Sequence, residues 1–324
     1  MILKIFNGRN ELLQFLIVIV FSILIYAIPI TVVQDNGFNP LFDALIFLSA
    51  GNTIALKIIF IVFTLTPIVL TQFLLETYGI VERRNKFFLF MAPLLIFSNQ
   101  SAWVLSPALI SIMFLIVSTN FLFNADENDR TISKFSSAAI IFSIGSMVYS
   151  VIILNFLLLI IALKLFRQFN LRDVIAVIIS FIIPYLFLFS YYFVNDQFIQ
   201  KWDLLRLQFS NIGLYEQINN TTFDLVYAVV FITVSVFVIS TVILNQRNNL
   251  IQVRKYIAFI FWGLINSVLL LFVAGEYSSY HFVLILFIVA IFYSVFLGAK
   301  KMVWMFEFII LFYLIHTLYI GSLV

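Results

Sequence analysis

The feature that most constrains this chain is an alternation. Apolar runs of about 20 residues, the length that crosses roughly 30 Å of hydrocarbon, are divided by short polar loops, and Lys and Arg crowd into every second loop. Such runs occupy 12 to 33, 54 to 76, 103 to 123, 173 to 194, 223 to 244, 256 to 274, 280 to 298 and 303 to 322. Two stretches fit one crossing poorly: 87 to 123 is too long for it, and 136 to 163 is somewhat long. Each carries a polar interruption, Ser98-Asn99-Gln100-Ser101 in the first and Tyr149-Ser150 in the second, so each reads as a pair of helices. The threading then has eleven spans.

Started inside, it places fifteen of the 18 Lys and Arg on one side and only Lys57, Lys201 and Arg206 on the other. By the positive-inside rule the N-terminus is cytoplasmic and the C-terminus external. A nine-span alternative, in which each long piece crosses once, moves only Arg130 and Lys134 outside. Eleven is preferred, because a single helix over 87 to 123 overshoots the bilayer by more than tilt absorbs. In that reading a helix from Phe87 to about Ser98 is only about 18 Å long. Its end, and the one near Tyr149, must then be buried in protein or wet.

With 64% hydrophobic and 10% charged residues, the chain has too little polar surface for a water-soluble globule. The expected fold is an all-α polytopic membrane protein of the bacterial cytoplasmic (inner) membrane. It has two broken-helix pairs, one external amphipathic helix and a retained first helix behind Lys4 and Arg9. It reads as a single membrane domain: a helical module over 1 to 195, an external segment over 196 to 222, and four C-terminal spans over 223 to 324. The net charge of +3 follows from the loop asymmetry and gives no reason to expect nucleic acid as a partner. Without cysteine and with only two histidines, thiolate zinc sites, iron–sulfur clusters and histidine-rich metal clusters are excluded. No Gly-rich phosphate loop, GxSxG or HExxH pattern is present.

Candidate chemistry lies in the external segments. In 195 to 222, Phe198, Trp202, Leu205 and Phe209 recur at helical spacing while Asp196, Gln200, Asp203 and Arg206 fall opposite, the pattern of an amphipathic surface helix. Lys201, Arg206 and Lys57 are the basic residues placed to meet a lipid phosphate; equally, they serve as headgroup anchors. In 34 to 53, Asp35 and Asp43 are candidates for a general base, or for ligands of a divalent cation. The apolar stretch from Ala44 to Ala50 is too short to span and suits the interface. Glu276 and His281 sit five apart at the last external turn, a possible acid/base pair. Within spans, Gln72, Asn155 and Asn266 suit interhelical hydrogen bonds. Glu307 is a costly carboxylate near the inner interface, and His316 lies on the opposite face of its helix. Pro29, Pro67, Pro93, Pro107 and Pro184 fall within spans, where they kink helices.

This layout resembles the membrane module of the glycosyltransferase C superfamily over residues 1 to 195. A first helix leads to an external loop with an acidic residue (Val33-Gln34-Asp35-Asn36) and a juxtamembrane stretch (Leu41 to Ala50). Closely paired short helices follow and end in a basic turn (Lys164 to Arg172). The resemblance implies sugar transfer from a polyprenyl-phosphate donor at the outer face, with Asp35 as base or metal ligand and Asp43 second. The chain departs from that pattern in having no adjacent acidic pair and no soluble external domain. The layout also resembles Phe-rich multi-pass bacterial families. Two readings stay open: a polyprenyl-linked glycosyl or head-group transferase, and a non-enzymatic subunit of a larger membrane assembly that docks protein partners. A transporter comes third.

Overall fold

The computed structural model describes residues 32, 37–49, 51–83, 85–127, 131–167, 170–210, 222–274, 278–299, 307 and 310–317. Among these residues the protein is all α-helical, apart from three short 3₁₀ turns and one isolated bridge between Val32 and Leu105. The helices are α1 (Pro40–Leu48), α2 (Thr53–Thr77), α3 (Phe87–Phe97), α4 (Pro107–Glu127), α5 (Thr131–Val148) and α6 (Phe156–Phe166). Then come α7 (Leu171–Val194), α8 (Phe198–Ser210), α9 (Thr222–Leu244), α10 (Ile251–Ala274) and α11 (Ser278–Ala299); residues 310–317 form a further helix, α12. Six of these, α2, α4, α7, α9, α10 and α11, are long and apolar enough to cross a membrane. They coincide with six of the eight runs read from the sequence. The run over 12 to 33 lies, apart from Val32, outside the described residues.

Both long stretches break where their polar residues sit. α3 ends at Phe97, a 3₁₀ turn follows over Gln100–Trp103, and α4 begins at Pro107. Pro107 therefore opens a helix and does not kink one: the missing N–H of proline costs nothing at the first helical position. α5 ends at Val148, and a 3₁₀ turn over Ser150–Asn155 leads into α6.

Among the described residues, the loops rich in Lys and Arg gather at one end of the bundle. There Tyr78, Phe123, Phe166 and Tyr256 pack ring to ring, with Phe123 and Tyr256 4.4 Å apart and Phe123 and Phe166 5.8 Å apart. This ties the last turns of α2, α4 and α6 to the first turns of α10. Gly79, at φ +65, closes α2 in the left-handed cap that glycine adopts without strain: Ile80 N–H donates to Leu75 O at 2.9 Å and Gly79 N–H to Glu76 O at 3.3 Å. The chain then returns so that Lys86 pairs with Glu76, and Asn85 donates from Nδ2 to Ser294 O at 3.2 Å. Arg167 pairs with the buried Asp173 at 3.0 Å. Phe87 and Phe123 thus share this basic end, so the chain doubles back between them.

α3 and α11 form the axis. Every residue of α3 except Leu89 is buried, and Phe88 meets Phe287 edge-on at 5.5 Å. On the outside, α7 leaves Leu186, Phe187 and Phe193 60 to 75% exposed. An apolar wall of that extent is matched by lipid, not water.

Candidate functional site

The end opposite the basic loops carries both helix breaks, α1 and α8, and it is here that polar side chains converge. α1 starts with Pro40 in its first turn and docks by Phe42, which is buried with Phe60, Phe97 and Val148. Phe47 and Leu48 on its other side remain exposed, as expected of an interfacial helix. Just before it, Asn39 is fully buried. Its Oδ1 accepts from Ser150 N–H at 2.9 Å and satisfies a backbone donor that the end of α5 leaves in the middle of the fold.

α8 reaches the same point. Asp196, at φ +56, takes the left-handed position at the end of α7, where Gln197 N–H donates to Tyr192 O at 2.9 Å. Aspartate tolerates this region better than most residues do. The turn folds α8 back over α7. The Ser150 hydroxyl then donates to Gln208 Oε1 at 2.6 Å, and Phe38 N–H donates to the same oxygen at 3.1 Å. One amide on α8 thereby joins the segment before α1 to the start of the 3₁₀ turn. Gln208 Nε2 is enclosed without a hydrogen-bond partner.

The α8 pattern is two-sided, as the spacing implies, and Gln200, Asp203 and Arg206 are exposed. Its aromatic face meets protein as well as the surroundings: Phe198 and Trp202 stack at 6.4 Å, and each lies 5.8 Å from Phe189. Lys201 and Arg206 do not share a site. Lys201 turns inward, half-buried, with Nζ 5.8 Å above the Tyr192 ring, a cation–π distance, whereas Arg206 projects outward. Lys201 and Gln208, seven residues apart, lie on one face of α8.

Tyr192 is the meeting point. It is 7% exposed, it touches Phe38 edge-on at 6.4 Å, and the Asp43 carboxylate acts on its hydroxyl electrostatically. Asp43 itself is exposed, and Asn39 O accepts its N–H at 3.0 Å. The fold thus sets Lys201 above the Tyr192 ring and Asp43 within electrostatic range of the same side chain, two charges from segments far apart in sequence. Lys57 is half-buried in the first turns of α2.

Comparison of the chain with protein-family models, curated proteins and solved structures finds no match in any of the three. The site is therefore read from its own geometry. Asp35 and Glu276 lie outside the described residues. His281, expected at the last external turn, is fully buried inside the bundle, with Nδ1 3.3 Å from Tyr149 Oη and Nε2 2.9 Å from Ser267 O. Among the described residues no three His, Cys, Asp or Glu come together as a metal cluster.

Deeper in the bundle, Asn266 donates from Nδ2 to Asn155 Oδ1 at 2.5 Å, the interhelical bond read for these residues. Gln72 instead lies at the basic end, where it donates to Asn85 O at 2.9 Å. His316 stacks on Tyr227 with ring centroids 3.7 Å apart. Sequence reasoning missed Asn39, Tyr192 and Gln208. Gln208 had a signal in its seven-residue spacing from Lys201. Asn39 had none, since Asn before Pro reads only as a helix start.

Proposed function

We propose that this protein is an eleven-span protein of the bacterial cytoplasmic membrane, with its basic end inside, that transfers a glycosyl or related head group from a polyprenyl-phosphate lipid at its external face. The observation that carries this reading is Lys201 held over the Tyr192 ring, with Asp43 within electrostatic range of the same side chain, beside the broken end of α5 that Asn39 and Gln208 hold. The doubling back of both long stretches supports eleven spans over nine, and the gathering of basic loops at one end supports the orientation.

The chemistry suits the donor set. A lipid phosphate needs a partly desolvated cation and neutral donors beside it. Lys201 supplies the cation, and the Nε2 of Gln208, on the same face, has a hydrogen bond still to give. In the transfer step the acceptor hydroxyl forms a bond to the anomeric carbon and gives its proton to a loop carboxylate. The bond from that carbon to the phosphate oxygen breaks, and Lys201 holds the phosphate that leaves. The resemblance assigns the base to Asp35, with Asp43 second.

The test is turnover of a polyprenyl-phosphate-linked sugar by purified protein. Asp35→Asn is expected to abolish it, Asp43→Asn to reduce it, and Lys201→Met to raise KM for the donor. Turnover unchanged in all three variants would remove the transferase reading and favour a non-enzymatic subunit.

A further inference from the structure

Between α2, α4, α6, α10 and α11 the bundle leaves a partly open cavity of about 110 Å3. Along α4 its wall runs from Ile112 to Phe123, eleven steps of about 1.5 Å, so the chamber is about 16 Å long. Close-packed interiors hold few voids larger than a water molecule. At about 110 Å3 drawn out over that length it is slender, suited to a single chain and not to a ring system.

Its wall is mostly Leu, Ile and Phe, and several of its polar groups are already committed. Ser118 donates to Ala138 O at 2.9 Å, Thr119 donates to Leu115 O at 2.8 Å, and Asn155 accepts from Asn266. Ordered water needs two to four polar partners, and this surface offers too few.

Two residues mark the chamber as held open. Gly263 sits in the middle of α10 and lines the space, and a Cβ added there would meet nothing within 4 Å. A mid-helix glycine weakens the helix relative to alanine, and no close backbone approach explains it here. Thr71 is buried on the chamber wall, and its Oγ1 has no hydrogen-bond partner. On the same helix, Thr64 and Thr77 donate to the carbonyls four residues back at 2.7 and 2.8 Å. Thr71 alone of the three keeps its hydroxyl for something else.

We propose that the chamber is a binding site for one hydrocarbon chain of a lipid, prenyl or acyl, whose oxygen acceptor meets the Thr71 hydroxyl. The site stands on the chamber alone and is separate from the groups around Tyr192.

The experiment loads the full-length chain, delipidated and held in amphipol, with palmitic acid or geranylgeraniol, each a single chain ending in an oxygen. Native mass spectrometry counts the bound molecules. Wild-type protein is expected to take up one equivalent, and the preferred probe names the acyl or prenyl source. Gly263→Phe fills the space and is expected to weaken uptake about ten-fold or more, whereas Gly263→Ala keeps it. Thr71→Val is expected to weaken uptake of the same probe several-fold, by about the worth of one hydrogen bond.

Thermal unfolding shows whether Gly263→Phe remains folded; if it does not, Gly263→Leu takes its place under the same criterion. No stoichiometric uptake by the wild type, or equal uptake by the filled variant, would overturn the proposal. Neither readout involves phosphate binding at Lys201, so failure here and failure of the transferase reading are distinguishable.

Discussion

The two helix breaks meet the same problem in different ways. Each interrupts a long apolar stretch at its serine, each serine is buried, and each break has a Tyr–His pair beside it, the half-buried Tyr227 with His316 and the buried Tyr149 with His281. At Ser98 the orphan groups are settled by aromatic side chains of the bundle: Trp103 donates from Nε1 to Phe97 O at 2.8 Å, and the Ser98 and Tyr227 hydroxyls bond each other. At Ser150 they are settled by amides from the two amphipathic segments, Asn39 and Gln208. The first break is plugged from within the bundle. The second is wired to α1 and α8, the elements that carry Asp43 and Lys201, so the same device is structural in one place and in the other holds the elements of the proposed site.

That contrast predicts unequal costs. Asn39→Leu removes the acceptor of a buried backbone N–H and should lower stability by about 1–3 kcal/mol, read from unfolding in detergent. The matched change at the first break, Trp103→Phe, should cost about 1 kcal/mol, since a carbonyl with a second lone pair tolerates the loss better. If Trp103→Phe proves the costlier, the assignment of roles to the two breaks is reversed.

Gln208→Leu sharpens the comparison from the other side. It should cost about 1 kcal/mol of stability but weaken polyprenyl-phosphate binding more than any change at Ser98 or Tyr227 does. Asn266→Leu, which breaks the bond to Asn155, should cost about 0.6 kcal/mol, the usual worth of such a bond between membrane helices. Smallest of all, Asp196→Gly should shift stability by no more than about 0.5 kcal/mol, because relief of the left-handed backbone is offset by a freer unfolded chain.

Much of the framework was legible in the sequence because membrane crossing is a one-dimensional constraint: run length and charge placement locate the spans without knowledge of packing. The breaks were legible for the same reason, since Ser98-Asn99-Gln100-Ser101 and Tyr149-Ser150 are polar groups where hydrocarbon demands none. The site was less so. Lys201 and Arg206 look equivalent along the chain, and only the turn at Asp196 decides that one faces Tyr192 and the other projects away. Asn39 and Ser150 are 111 residues apart, and no periodicity announces a bond across that distance. His281 shows the same limit: the sequence places it five residues after Glu276 at a turn, and only the fold shows that α11 carries it, fully buried, into the bundle.

The most direct test of the account compares the two α8 cations in one assay: binding of a polyprenyl phosphate to the purified full-length chain, with Lys201→Met and Arg206→Met side by side. Lys201→Met should weaken binding by about ten-fold or more, the scale of one partly desolvated charge-assisted hydrogen bond. Arg206→Met should leave binding nearly unchanged. Equal loss in both variants, or loss in Arg206→Met alone, would contradict the claim that α8 turns Lys201 inward to hold a lipid phosphate.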